Sequence, residues 1–260
     1  MGTTIYGEIS DLIWSYTKLS SFEQCPYQFY LQYIEKRNGE GNFYADAGKA
    51  MHKTLELLEK GEVELSDSIM KFDDLWLEVD TGDTKKETAE NWYWSCIDYL
   101  GSLTGFELDN YNVLEVEGKH RFTKDGNEFI GFIDLLLEDK ATGDLIIVDH
   151  KSHNRLVGKN GRPLKSELKT LEGYKRQLYL YSYPVMQKYQ KTPKNLAWNH
   201  FRTGDLTVVP FDWDEYREAW EWAESLIGKI TEEKEFENKD EFFYCKNLCD
   251  FRHSCEYLEE

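Results

Sequence analysis

The residues best suited by type and spacing to do chemistry lie in GFIDLLLEDKATGDLIIVDHKS, where Asp134 is central to one apolar run and Asp149-x-Lys151 ends the next. Both runs read as strands, and the Gly-containing turn at residues 141–144 joins them as a hairpin. A hairpin can set the two carboxylates side by side, where a divalent cation could be shared. Asp149 and Lys151 are two apart and face one side of their strand, while His150 faces the other. A hard cation such as Mg2+ or Mn2+ takes carboxylate oxygens and keeps several waters, one of which can become a nucleophile. A neighbouring lysine can polarise or deprotonate that water, or neutralise charge developing on a phosphate. The plainer reading makes Asp134 and Asp149 solvated strand-end acids with Lys151 as their surface partner. Against it stand Phe132, Ile133, Leu135, Leu136, Ile146, Ile147 and Val148, among which an unpaired charge is costly.

The elements that must position this set follow from periodicity. Ser20-Ser21-Phe22-Glu23 has capping-box spacing and predicts an aromatic-rich helix to about residue 34, with Cys25 in its first turns. A second helix is expected from about Asp46, with Met51, Leu55 and Leu58 as its stripe and His52 beside it. The acidic stretch that follows is helical in part, and residues 87–103 form an amphipathic helix through Trp92, Cys96, Tyr99 and Leu100. Strands over residues 112–122, 128–139 and 145–152 come next. A polar, basic loop over about 154–165 leads to a long helix over 168–189, which Pro184 should kink. Two strands flank Thr203-Gly204-Asp205, and Asp212 opens a last acidic helix to about residue 235. This order describes an α/β core with a helical N-terminal elaboration, in one domain.

Taken together, these segments resemble the PD-(D/E)XK nuclease superfamily, and within it the RecB-like branch. That branch also has a Gly-x-x-x-His segment on an upstream helix, matched by Gly48-Lys49-Ala50-Met51-His52. A Gln-x-x-x-Tyr segment on the helix after the lysine strand is matched by Gln177-Leu178-Tyr179-Leu180-Tyr181. The four elements in order span nearly the whole chain. The resemblance implies a restriction-endonuclease-like core, a central mixed sheet flanked by helices. It also implies one nuclease domain over 1–260, with a helical part at 1–110, the core at 111–211 and a C-terminal helix and cysteines at 212–260. Metal ligands are implied at His52, Asp134, Asp149 and the His150 backbone carbonyl, and a catalytic lysine at Lys151. Gln177 and Tyr181, one helical turn apart, would position the substrate phosphate or the attacking water. Glu115 or Glu117 on the first strand can also reach the metal, and their spacing does not choose between them. The implied activity is a metal-dependent deoxyribonuclease, an exonuclease on single strands or ends. The alternative is a cluster- or zinc-stabilised DNA-binding or assembly subunit that keeps the fold without turnover.

Cys245-x3-Cys249-x5-Cys255 crowds the C-terminus and suggests metal or cluster ligation rather than a disulfide framework. The resemblance supplies a fourth ligand. AddB and the iron-sulfur exonucleases associated with CRISPR loci have one N-terminal cysteine in a Cys-Pro context and three near the C-terminus, and Cys25-Pro26 fits that place. Four thiolates suit a 4Fe-4S cluster, with zinc as the runner-up. Either would tie the two chain ends together across a long loop. The family's common C-terminal spacing is x2 then x5, so the x3 here is a departure. Cys96, on an apolar helix face, is expected to be buried and inert.

The formal charge is −18, from 31 Lys and Arg against 49 Asp and Glu, which at face value argues against a polyanionic partner. Its distribution changes that conclusion. Residues 56–90 and 212–241 each hold 12 acids and 4 bases, whereas residues 151–176 hold eight bases and two acids. Arg155, Lys159, Arg162, Lys165, Lys175 and Arg176 in that run are the candidate DNA contacts. With 40% apolar and 15% aromatic residues, composition excludes disorder. No run approaches the roughly 18 apolar residues of a membrane span, and the start lacks the regions of a signal peptide, so a cytoplasmic location is expected. Gly48-Lys49-Ala50 does not complete a phosphate-cradling loop, so no ATP-driven motor is expected. A helicase, or recombination or CRISPR adaptation proteins, are then the implied partners beside DNA, with homo-oligomers left open.

Overall fold

Helices begin where a side chain satisfies their first amides. In the computed structural model, which describes residue 9 and residues 11–82, 84–103, 108–158, 162–239 and 241–258, Ser15 Oγ accepts from the Lys18 amide at 3.2 Å and opens α1 (Tyr16–Gln24). The capping box expected at Ser20 is therefore interior to a helix that starts earlier. The predicted continuous helix to residue 34 is also broken. Pro26 disfavours the helical conformation for the residue before it, so Cys25 is extended at φ −157°. Pro26 then takes the first position of α2 (Pro26–Phe29), where its missing N–H is no loss, and the chain continues as a π turn over Tyr30–Ile34. Cys25 thus marks a junction between helices.

Asn42 caps α3 (Phe43–Glu59) by accepting from the Ala45 amide at 3.0 Å. After α4 (Ser68–Trp76) and α5 (Lys86–Ser102) come β1 (Tyr111–Lys124), β2 (Asn127–Asp139) and β3 (Leu145–Lys151). The next element, α6 (Leu168–Tyr189), remains one helix through the buried Pro184. It is followed by β4 (Asn195–His200), β5 (Asp205–Pro210), α7 (Trp213–Glu232), capped by Asp212, and α8 (Phe242–Asn247).

The strands form one sheet in the order β1-β2-β3-β4-β5, antiparallel except for the parallel pair β3 and β4. A parallel pair needs a crossover, which α6 supplies. Ile133, Leu136, Ile147, Leu196 and Trp198 on one side of the sheet pack with Leu178 and Val185 of α6 and with Trp220 and Ile227 of α7. Leu135, Leu137, Ile146, Val148 and Ala197 form a cluster on the other side. The N-terminal helices have their own core around Met51, Phe72, Trp92 and Cys96, joined by Phe201 just beyond β4. Burial pushes the Cys96 thiol up to about 12, as suits an inert cysteine. The chain ends meet through Tyr27, whose hydroxyl donates to Glu256 Oε1 at 2.5 Å, and Tyr244, whose hydroxyl donates to Gln28 Oε1 at 2.7 Å. Among the described residues, no helix is long and apolar enough to cross a membrane.

The approach of α6 to the sheet depends on Gly131 in β2. A Cβ there would meet the Tyr181 ring at 2.8 Å. Alanine in a strand gains roughly 0.5–1 kcal/mol over glycine, whereas forcing extra volume into a packed site costs about 1–3 kcal/mol. Gly131→Ala should therefore lower stability in urea unfolding, and an unchanged or raised midpoint would show that Tyr181 does not seat against this backbone.

Candidate active site

The local backbone of β1 decides between its two acids. The pairs Val116↔Leu135 and Gly118↔Ile133 bracket Glu117, which therefore stands opposite Asp134 of β2. Its φ is +51°, a left-handed conformation that costs a non-glycine residue on the order of 1–3 kcal/mol. In that conformation one ligand atom each from His52 of α3, Glu117 and Asp134 lies within 4.8 Å of the others, the one such group among the described residues. Glu115 is engaged elsewhere. It accepts from Lys188 Nζ at 2.9 Å and the Tyr189 hydroxyl at 2.7 Å, and lies 2.7 Å from His120 Nε2. A side chain at Gly118 would overlap the Glu115 carboxylate, so glycine makes this folding-back feasible. The only sequence signal for Glu117 was that glycine after it.

Beyond Leu135↔Val148 the ladder between β2 and β3 ends. Asp134 takes over there: its Oδ2 accepts from the His150 amide at 2.7 Å and lies 3.5 Å from His52 Nδ1. A backbone hydrogen bond also links His150 to the His52 ring. The peptide of His150 thus borders the three convergent ligands. Burial pulls His52 down to about 4 against the opposing pull of Asp134, so its imidazole is neutral at pH 7 and has a lone pair to offer a metal. Burial, then the nearby Asp134 and Glu56 charges, push Glu117 up to about 7.

Asp149 and Lys151 form the adjoining half of the site, facing α6. Asp149 is buried, which raises its carboxyl against the pull of Lys151. Lys151 Nζ lies 2.6 Å from Asp149 Oδ2, donates to Gln177 Oε1 at 2.9 Å, and sits 4.6 Å over the Tyr174 ring. Although burial opposes its charge, Asp149 and Asp134 hold Lys151 above its ordinary value, so it is a cation here. A protonated lysine suits charge stabilisation rather than proton abstraction. Gln177 Nε2 also donates to Asp149 Oδ1 at 3.1 Å, so one amide bridges both members of Asp149-x-Lys151. Tyr181 completes the line, its hydroxyl 3.4 Å from Gln177 Nε2. The His150 side chain does point to the other face, toward Glu59.

The basic run is only partly where sequence reasoning put it. Lys175 Nζ lies 2.5 Å from Glu215 of α7, and Arg176 pairs with Glu172 and Glu23 while stacking 4.9 Å over Trp222. Those two charges are already neutralised within the fold. Arg155 and Arg162 flank the loop and Lys165 opens a short 3-10 turn before α6, while Lys159 lies outside the described residues. Lys169 and Arg176 line a groove with Tyr16, Tyr174 and Lys239, interleaved with Glu23, Glu172 and Glu241. Tyr174 joins this groove to Lys151. Cys25, Cys245, Cys249 and Cys255 line one small cavity. Among the described residues no three of their sulfurs lie within 4.8 Å of one another.

The different duties of the two β1 acids separate in mutants. Glu117→Ala should abolish or weaken Mn2+ binding by at least about tenfold while leaving the thermal midpoint unchanged or raised, because it relieves repulsion with Asp134. Glu115→Ala should lower the midpoint, since it strands Lys188, Tyr189 and His120, and should leave Mn2+ affinity near wild type. Mn2+ titration followed by electron paramagnetic resonance, with thermal unfolding beside it, checks both.

The family model of the PD-(D/E)XK nuclease superfamily matches residues 13–256 of this chain. A crystal structure of a "Putative exonuclease" from Eubacterium rectale aligns with a TM-score of 0.60 at 15% identity, covering 100% of this chain and 94% of that one. At that identity the likeness speaks to the fold, the restriction-endonuclease-like mixed sheet described above. No curated protein matches the chain significantly. The match runs through the α3 helix, the strand pair and α6 alike, and on that extent the chain belongs to the PD-(D/E)XK nuclease superfamily.

Proposed function

We propose that this chain is a divalent-metal-dependent deoxyribonuclease of the RecB-like branch, an exonuclease acting on single strands or DNA ends. The observation that carries the reading is the convergence of His52, Glu117 and Asp134 beside the Lys151 strand. One imidazole and two carboxylates, with Asp149 and the His150 peptide alongside, suit Mg2+ or Mn2+. Two acids crowded opposite each other are what such an ion would neutralise. A divalent ion held by His52, Glu117 and Asp134 would supply Lewis acidity for phosphodiester hydrolysis. The chain's own groups do the rest. Lys151 holds a positive charge toward the reacting phosphate, and Gln177 keeps Lys151 and Asp149 in fixed relation. Tyr181 braces Gln177 from one turn away.

The groove joined to Lys151 through Tyr174 supports single-stranded substrate, because exposed bases stack on aromatic rings while cations track the backbone. The printed name of a structurally similar protein, "Putative exonuclease", supports end-directed cleavage. Recombination, repair or CRISPR-type processing in the cytoplasm, with a helicase or adaptation protein as partner, is the setting this reading implies.

A structural 4Fe-4S cluster on Cys25, Cys245, Cys249 and Cys255 belongs to the same proposal. Their common cavity supports it, as do amides of Gln28 and Phe251 that donate to the Cys25 and Cys249 sulfurs at 3.5 and 3.4 Å. Zinc is the alternative occupant of the four thiolates.

Labelled single-stranded oligonucleotides should be digested in Mg2+ or Mn2+, and Asp149→Ala and Lys151→Ala should each be slower by on the order of 100-fold or more. Undiminished cleavage by either variant would overturn the assignment. Anaerobically purified protein should show broad visible absorbance with about four irons per chain; a colourless protein holding one zinc would replace the cluster with zinc.

A further inference from the structure

The His150 side chain is not part of the metal-facing surface, yet it is 3% exposed and has polar groups close to both ring nitrogens. Its Nε2 lies 2.9 Å from Oε1 of Glu59, a residue on α3 two turns beyond His52 and itself nearly buried. Its Nδ1 lies 3.0 Å from the Asn199 amide of β4, which is also 2.7 Å from the Tyr99 hydroxyl of α5. With the amide nitrogen facing both, Asn199 Oδ1 is buried without a partner. The Asn199 amide nitrogen thus ties the His150 ring to the Tyr99 hydroxyl. The ring is held from both nitrogens, between Glu59 and Asn199.

That ring sits on the one peptide that the metal-facing groups share. The β2–β3 ladder has ended, so on that side the His150 amide is held by Asp134 alone. We infer that Glu59, acting through the His150 ring, is a positioning residue for the metal site: it fixes the peptide that meets Asp134 and His52. The same helix, α3, supplies both a ligand and the brace behind it. The inference rests on the metal-site reading above and adds to it a residue on the opposite face of the sheet.

The test compares Glu59→Leu and Glu59→Gln with wild type in Mn2+ affinity by electron paramagnetic resonance, in kcat and KM on an oligonucleotide, and in thermal unfolding. Folded Glu59→Leu should bind Mn2+ about 10–100-fold more weakly and lose kcat, with KM for DNA little changed. Glu59→Gln, which still accepts from His150 Nε2, should recover most of the affinity. If Glu59→Leu does not fold, Asn199→Leu cuts the other bond of the ring and carries the same expectation. Wild-type Mn2+ affinity in a folded Glu59→Leu protein overturns the inference. Wild-type protein that binds Mn2+ but cleaves no DNA would remove the nuclease reading, and the affinity comparison would still decide the role of Glu59. Absence of Mn2+ binding by the wild type overturns both.

Discussion

The site is organised by carboxylates forced together at a partly buried spot. Glu117 and Asp134 face each other across neighbouring strands, and Asp149 adds a third charge close by. Two unit charges at such separations repel by on the order of 3–4 kcal/mol at an effective dielectric near 20. The fold meets that repulsion with donors and cations rather than by spreading the acids apart. The His150 amide binds Asp134, Lys151 binds Asp149, and the His150 ring lies behind both. The left-handed backbone at Glu117 is further strain kept at the same spot. Strain and repulsion that persist together are intelligible if a cation relieves them.

This arrangement also governs how a polyanion can approach. The net charge of −18 is spread over helices that would repel DNA, and Lys175 and Arg176 are already paired with Glu215, Glu172 and Glu23. Near the site Lys169 and Lys239 share their groove with Glu23, Glu172 and Glu241, and the Tyr174 ring there already carries Lys151 on one face. Under the proposed function, a substrate in so mixed a groove would be held more by the metal than by bulk attraction.

Much of the site could be read from sequence because it rests on short-range periodicity. The two-residue repeat of a strand put Asp149 and Lys151 on one face and His150 on the other, and the four-residue spacing of a helix put Gln177 and Tyr181 together. What failed depended on local exceptions or on distant partners. The apparent capping box at Ser20 lies inside a helix that Ser15 opens earlier, and Pro26 ends the expected continuous helix by denying Cys25 a helical conformation. The choice of Glu117 over Glu115 turned on one left-handed residue and a glycine, which periodicity does not register. Lys175 and Arg176 found acids on α7 and α1 that no local pattern announces. Glu59 was within reach of sequence reasoning, being seven residues and so two turns from His52, but its value depended on His150 pointing at it through the sheet.

The central claim is that the acids of β1 and β2, with the imidazole of α3, form a metal site. Crystals soaked in Mn2+ and measured near the manganese absorption edge test it most directly. The account predicts an anomalous peak at about 2.0–2.3 Å from ligand atoms of His52, Glu117 and Asp134, with Glu115 still bound to Tyr189. A peak ligated by Glu115 instead, or none at this position in crystals that bind Mn2+ elsewhere, would contradict it.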